Sequence, residues 1–291
     1  MNIKESIKKL PKEKFPKALL EIPQPPENLW IVGELPKESL IHLCVVGSRK
    51  FTSYGREACE KIITGLKGYP IVIVSGLAMG IDAIAHKKAL SVGLKTLVFP
   101  GSGLSPSAMY PKTNVKLAEE IVKSGGCLIS EFEPDFKATL WSFAKRNRLM
   151  AGISKATLII EAEEKSGTLI TARLTTEYNR DLLVVPGSIF SSNSKGTNRF
   201  LRLGATPITC AEDVLEALGF EKEKEEGKQA KLFSDLSPEE KRVVSLLREP
   251  VPRDDLIRAM KMSVPDAQAL LTVMEIKELI KEELGEIMLN T

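Results

Sequence analysis

Several short stretches of the sequence group glycine, serine, cations and one aromatic ring in a way that suits holding phosphates and bases. The longest is Ser75-Gly76-Leu77-Ala78-Met79-Gly80-Ile81-Asp82, set between the apolar run Ile71 to Val74 and a segment, 83–90, with apolar residues at helical spacing. Strand, glycine turn and helix in that order leave N–H groups without partners at the helix start, where the dipole also favours an anion. Ser75, Gly76, Ala78 and Gly80 are therefore candidates to cradle phosphate. Gly167 and Thr168, in Ser166-Gly167-Thr168, offer a second such turn, and two turns on one edge suit a chain of phosphates. Arg49, in Gly47-Ser48-Arg49 after another apolar run, is placed to fork onto a phosphate; an ordinary surface ion pair is the alternative. In Phe143-Ala144-Lys145-Arg146-Asn147-Arg148, helical spacing sets Phe143, Arg146 and Asn147 on one face and Lys145 and Arg148 on another. We assign the first face to the ligand, with Phe143 stacking on a base; plain core packing of Phe143 is the competing reading. Lys195 and Asn198, in Lys195-Gly196-Thr197-Asn198-Arg199, close the set after a long polar loop, Ser188 to Ser194.

Most bond-breaking chemistry lacks raw material. Ala78 replaces the middle glycine of a dinucleotide fingerprint, the strand Thr96-Leu97-Val98 runs into Phe99-Pro100-Gly101 without a ribose-binding acid, and no Walker pattern is present. His42 and His86 are the only histidines, too few for a triad plus a metal site. Cys44, Cys59, Cys127 and Cys210 show no C-x-x-C spacing and read as free thiols, three of them in or beside apolar runs. No cofactor, metal or catalytic residue is assigned.

The elements that position these stretches follow from hydrophobic spacing. Strands are expected at 29–33, 41–47, 71–74, 96–99, 127–130, 157–161 and 182–185. Helices are expected at 53–68, capped by Ser53, and at 83–90, 115–124, 141–153, 169–180 and 211–218. Unbroken apolar strands alternating with amphipathic helices specify a doubly wound, mostly parallel α/β sheet, Rossmann-like, over residues 41–219. In such sheets ligands lie beyond the carboxyl ends of the strands, where the stretches above fall. Residues 1–40 read as an extension packed on this domain, and 220–235, with Glu221-Lys222-Glu223-Lys224-Glu225-Glu226, as a charged linker. From Ser237, the cap of a helix with Pro238 at its first position, three helices and a hairpin around Gly285 suggest a small C-terminal winged-helix domain over 236–291. The 291-residue chain is 43% hydrophobic and 27% charged, and its longest apolar runs are too short to span a membrane, so a cytoplasmic protein is expected. Residues 236–291 carry 8 Lys and Arg against 11 Asp and Glu, and the rest of the chain 33 against 27. The basic character thus sits on the α/β part, and the winged helix reads as a protein-contact or accessory unit.

The motifs also carry a resemblance. Val46-Gly47-Ser48-Arg49, Ser75 to Asp82 with His86, Tyr110-Pro111, Ile129-Ser130-Glu131, Lys145-Arg146-Asn147-Arg148, Glu161-Ala162, Ser166-Gly167-Thr168 with Thr171-Ala172, Pro186-Gly187 and Gly196-Thr197-Asn198 resemble, in this order, the DNA-processing protein A family (DprA, also called Smf) over about residues 12 to 219. The resemblance implies a single-stranded DNA binder that loads the RecA recombinase during natural transformation, works as a homodimer and has no established catalytic activity. By position, Arg49, the 75–80 loop, Phe143 to Arg148, Gly167-Thr168 and Lys195 to Asn198 would line its DNA pocket; Lys195 stands where the family often has an uncharged residue. The alternative is a nucleotide-binding or phosphoribohydrolase-type enzyme on a related fold. Such hydrolases carry P-G-G-x-G-T-x-x-E, and here Thr171 occupies the glutamate's place, which leaves Glu161, Glu163 and Glu164 as carboxylates without a paired partner.

Overall fold

A computed structural model describes residues 3–220, 236–247, 250–277, 279–283 and 285–289. The chain divides into two compact units, Met1–Glu221 and Lys222–Thr291. Of the linker expected over 220–235, residues 221–235 lie outside the described residues, while Phe220 packs edge-on against Tyr69 in the first unit (5.3 Å between centroids). No helix among the described residues is long and apolar enough to cross a membrane.

The first unit is built on a nine-stranded sheet in the order β1-β2-β6-β5-β4-β3-β7-β8-β9. Its strands are β1 (Lys8–Lys9), β2 (Trp30–Gly33), β3 (Ile41–Val46), β4 (Ile71–Ser75), β5 (Lys95–Val98), β6 (Cys127–Ser130), β7 (Ala156–Ile159), β8 (Asp181–Val184) and β9 (Thr206–Pro207). From β6 to β9 all pairs are parallel. Residues 1–40 do more than pack on this sheet. β2 pairs antiparallel with β6, Trp30 opposite Ser130, and β1 extends the edge, because Leu29 and Val32 are apolar enough to be fully buried there.

The helices are α1 (Lys17–Leu20), α2 (Ser53–Gly65), α3 (Ile81–Ser91), α4 (Val115–Lys123), α5 (Leu140–Ile153), α6 (Thr168–Glu177), α7 (Lys195–Arg202) and α8 (Ala211–Ala217). Along β3 the two-residue period sends Leu43 and Val45 into one core, with α2, α3 and α8, and Cys44 and Val46 into another, with α1 and α5. A central strand buried on both faces reads as an unbroken apolar run for this reason. Two local expectations are corrected. The cap of α2 is Thr52, whose hydroxyl accepts from the Gly55 N–H (3.1 Å), and not Ser53, the first helical residue. After the loop at 188–191 the chain forms a short 3₁₀ turn and then α7, where hydrophobic spacing indicates only irregular structure; Gly196 in its first turn masks the helical signal.

His86 on α3 is fully buried, its Nδ1 2.5 Å from the Thr96 hydroxyl, which itself donates to the Ile73 carbonyl (3.0 Å). Burial, and then the nearby Arg146 charge, lower its pKa from 6.5 to about 3, so it stays neutral in the fold and must charge on unfolding in acid. The unfolded chain therefore binds the extra proton, and stability falls as pH drops from 6.5 toward 3. We expect a contribution of about 1.4 kcal/mol per pH unit. His42, whose pKa burial lowers to about 4, adds to the slope in the same sense. Urea titrations between pH 7 and 4 check this: His86→Gln should remove about half of the slope, and an unchanged slope would remove His86 as one of its sources.

The second unit holds α9 (Pro238–Leu246), β10 (Val251–Pro252), α10 (Arg253–Met260), α11 (Val264–Ile276), β11 (Ile280–Glu283) and β12 (Glu286–Leu289), with the three strands in one sheet. Ser237 caps α9 in a reciprocal box with Glu240, as its spacing specifies. The core joins Leu256, Leu271, Met274 and Ile287.

Candidate nucleic-acid interface

The order in which strands are added reverses at β3: β4, β5 and β6 lie to one side and β7, β8 and β9 to the other. Beyond the carboxyl end of β3 this switch opens a crevice between the loops after β3 and β7, the usual ligand position in such sheets. A cavity of about 410 Å³ lies there, lined among others by Gly47 to Lys50, Ala78, Asp82, Phe143, Arg146, Asn147, Glu163, Gly167, Thr168 and Thr171.

Its floor holds two buried residues of opposite charge, Asp82 and Arg146, each bonded to the backbone and acting on the other through their charges. Asp82, in the first turn of α3, folds its carboxylate back to accept from the N–H groups of Gly76 (3.1 Å) and Ala78 (3.3 Å). Burial raises its pKa, and Arg146, those N–H groups and Arg49 oppose the rise. Arg146 is buried as well; it donates to the Gly76 carbonyl (2.7 Å) and to the Phe99 carbonyl, and burial lowers its pKa to about 10, so it remains a cation at neutral pH. A Cβ on Gly76 would overlap the Arg146 guanidinium, and one on Gly80 (φ 89°) would overlap the Ser48 carbonyl. These glycines are thus required by protein packing. Between them Leu77 takes a left-handed conformation (φ 61°), at a cost of roughly 1–2 kcal/mol. Its side chain is fully buried, and Asn114 donates to the Leu77 (2.8 Å) and Ala78 (3.2 Å) carbonyls.

The N–H groups that the sequence assigns to phosphate are therefore largely taken by the protein. In the 75–80 loop Gly76 and Ala78 serve Asp82, and the Ser75 hydroxyl donates to the Val45 carbonyl (2.6 Å). In the second turn the Thr168 N–H donates to the Ser166 hydroxyl (3.2 Å), the Leu169 N–H to the Ser166 carbonyl and the Ile170 N–H to the Gly167 carbonyl, while the Thr168 hydroxyl donates to the Gly47 carbonyl (3.2 Å). Gly167 faces open space.

The side chains that remain available are different ones. Arg49 is exposed, has no ion-pair partner among the described residues, and lies over the Phe143 ring at 5.4 Å. Phe143 is half-buried; its ring rests on Gly101, where a Cβ would overlap it, and meets Tyr110 at 5.6 Å and 54°. Tyr110 and Met79, 44% and 47% exposed, extend this surface. Asn147, at the cavity wall, has no hydrogen-bond partner for its amide among the described residues. An exposed guanidinium on a ring beside unpaired polar groups can hold a phosphate next to a stacked base.

The other expected residues fall elsewhere. Lys145 (3.3 Å) and Arg148 (2.5 Å) both pair with Glu131, on the opposite side of α5 from the cavity, as the helical spacing separates them. Asn198 clamps a turn: its amide donates to the Gly187 carbonyl (3.0 Å) and accepts from the Gly187 N–H (3.3 Å). Lys195 is exposed at the first position of α7. Tyr110 and Asp82 are site residues that the sequence reading did not place in the pocket, whereas Met79 falls in the 75–80 loop that it did. Asp82 carried a signal, as an acid in the first turn of a helix after a glycine loop; Tyr110, 33 positions before Phe143, carried only its place in the Tyr110-Pro111 motif of the resemblance. Glu161, a candidate acid for hydrolysis, is buried, and its two oxygens accept from the Thr52 N–H (2.9 Å) and hydroxyl (2.6 Å).

Residues 7–219 match the family model for DNA recombination-mediator protein A, and residues 228–285 match that for the DprA winged helix domain. The chain is 38% identical over 212 residues to Protein Smf of Escherichia coli K12, covering 72% of this chain and 55% of that protein, so it spans about half of that relative's length. It is 37% identical over 206 residues to the DNA processing protein DprA of Streptococcus pneumoniae, covering 71% of this chain and 72% of that one. The crystal structure of the S. pneumoniae protein superimposes with a TM-score of 0.68 at 35% identity, over 75% of each chain. DNA processing protein A from Helicobacter pylori, whose structure describes its single-stranded DNA binding mode, superimposes with a TM-score of 0.66 at 32% identity, over 73% of this chain and 95% of that one.

Proposed function

The chain belongs to the DNA recombination-mediator protein A family, and from that premise we propose that its α/β unit holds single-stranded DNA without reading sequence. The observation that carries this reading is Arg49, exposed and unpaired among the described residues, stacked on Phe143 at the mouth of the crevice. A phosphate takes the Arg49 fork and a base meets the Phe143 and Tyr110 rings, with Arg146 adding positive potential from below. The glycine loops contribute by letting the buried Arg146 guanidinium approach the cavity, more than by donating to DNA themselves. As the family resemblance implies, a homodimer in the cytoplasm passes the bound strand to the RecA recombinase during natural transformation.

The test is binding of a fluorescent thymidine 30-mer, against duplex of equal length, across a salt series. We expect preference for the single strand and a log K that falls with log salt by about 0.7 per phosphate neutralised. Binding should persist in a chain ending at residue 221, which retains the whole nine-stranded sheet. Equal affinity for duplex, or loss of binding on that truncation, would defeat the proposal.

A further inference from the structure

The strongest aromatic cluster of the first unit lies outside the cavity. Phe132 and Phe136 stack at 4.5 Å and 15°, and Trp141 stands edge-on to both, at 5.6 and 5.8 Å. Lys145 caps the group, 5.7 Å from the centroids of both Phe132 and Trp141. Trp141 is nevertheless 54% exposed, beside Leu140 at 92%. Lys137, on the same loop, is exposed and has no ion-pair partner among the described residues. A tryptophan held by two neighbouring rings, with surface left open and cations alongside, is costly to leave in water and loses little entropy on binding a flat ligand.

The geometry points to a second base-stacking platform on Trp141, which takes nucleotides of the same single strand after it leaves the Arg49 and Phe143 site. This rests on the function proposed above. Leu140 connects the two places: it lines the cavity and immediately precedes Trp141. Trp141 and Phe143 are two positions apart on α5, roughly 200° around the helix, so a strand joining them must pass over the helix's first turn. Only a ligand of several nucleotides spans both sites, whereas a short one fills the cavity alone. Every base has a flat face, so the platform adds affinity and no sequence preference.

Trp141 reports on itself, because the chain contains only two tryptophans. In full-length protein carrying Trp30→Phe, a thymidine 15-mer should quench the Trp141 emission. In otherwise native protein, Trp141→Ala should weaken the 15-mer about tenfold and leave a tetramer unchanged, and Trp141→Phe should restore most of the loss. Lys137→Glu, on an exposed cation, should also weaken only the longer oligomer. A 15-mer that binds with Trp141 emission unchanged overturns the platform and leaves the Arg49 site standing. If neither length binds, both readings fall.

Discussion

Arg49→Glu should weaken binding of single-stranded oligonucleotides of any sequence by about 30- to 100-fold. A charge-assisted hydrogen bond to phosphate contributes on the order of 1.5–3 kcal/mol, and the substitution also places a negative charge where the backbone must pass. The guanidinium is exposed, lies over the Phe143 ring and forms no ion pair among the described residues; its loss strands no hydrogen-bond partner but takes a favourable charge from the buried Asp82 carboxyl. Stability should therefore fall by only about 1 kcal/mol, the size of an exposed cation–π contact. Two measurements separate this from general damage. The salt slope of log K should become shallower by about 0.7 for each phosphate that is no longer neutralised, and the urea midpoint should move only by the small amount that this loss implies. Affinity equal to that of the native protein would remove Arg49 from the site.

Arg146→Met should instead act on the fold. Arg146 and Asp82 are both buried, and the arginine also ties the Gly76 and Phe99 carbonyls together. Removing it leaves the buried Gly76 and Phe99 carbonyls without their donor, at about 1–3 kcal/mol for each group left unsatisfied, and takes a nearby positive charge away from the buried Asp82 carboxyl. Much of the stability of a domain is of that size. The expected result is a large fall in the urea midpoint of the first unit. Asp82→Asn should recover part of it in the double variant, since the uncompensated charge is then gone. Loss of oligonucleotide binding in Arg146→Met at native stability would show instead that the guanidinium touches the ligand directly.

The contrast between these two arginines shows where sequence reasoning reaches its limit. Arg49 follows Gly47-Ser48 and Arg146 stands in a cationic helical run, and both are natural candidates for phosphate. Their roles separate only when exposure and partners are known: one is open to solvent on a ring, the other is buried and held by the Gly76 and Phe99 carbonyls. The same holds for the glycine turns. Strand, turn and helix are legible from spacing, yet the free N–H groups inferred from them depend on no side chain folding back, and Asp82 and Ser166 do so.

Local periodicity by itself determined the parallel α/β domain, the boundaries of most strands and helices to within a few residues, the winged-helix module with its Ser237 cap, and the division of α5 into a face with Phe143, Arg146 and Asn147 and a face with Lys145 and Arg148. Those features follow from backbone periods and caps that act over a few residues. Tertiary structure alone decided the strand order that opens the crevice at β3, the antiparallel seating of β2 beside β6, the meeting of Tyr110 with Phe143, and which polar groups remain unpaired for a ligand. Each of these depends on residues tens of positions apart coming together, and the period of a strand or helix carries no record of which distant side chain will satisfy a given donor.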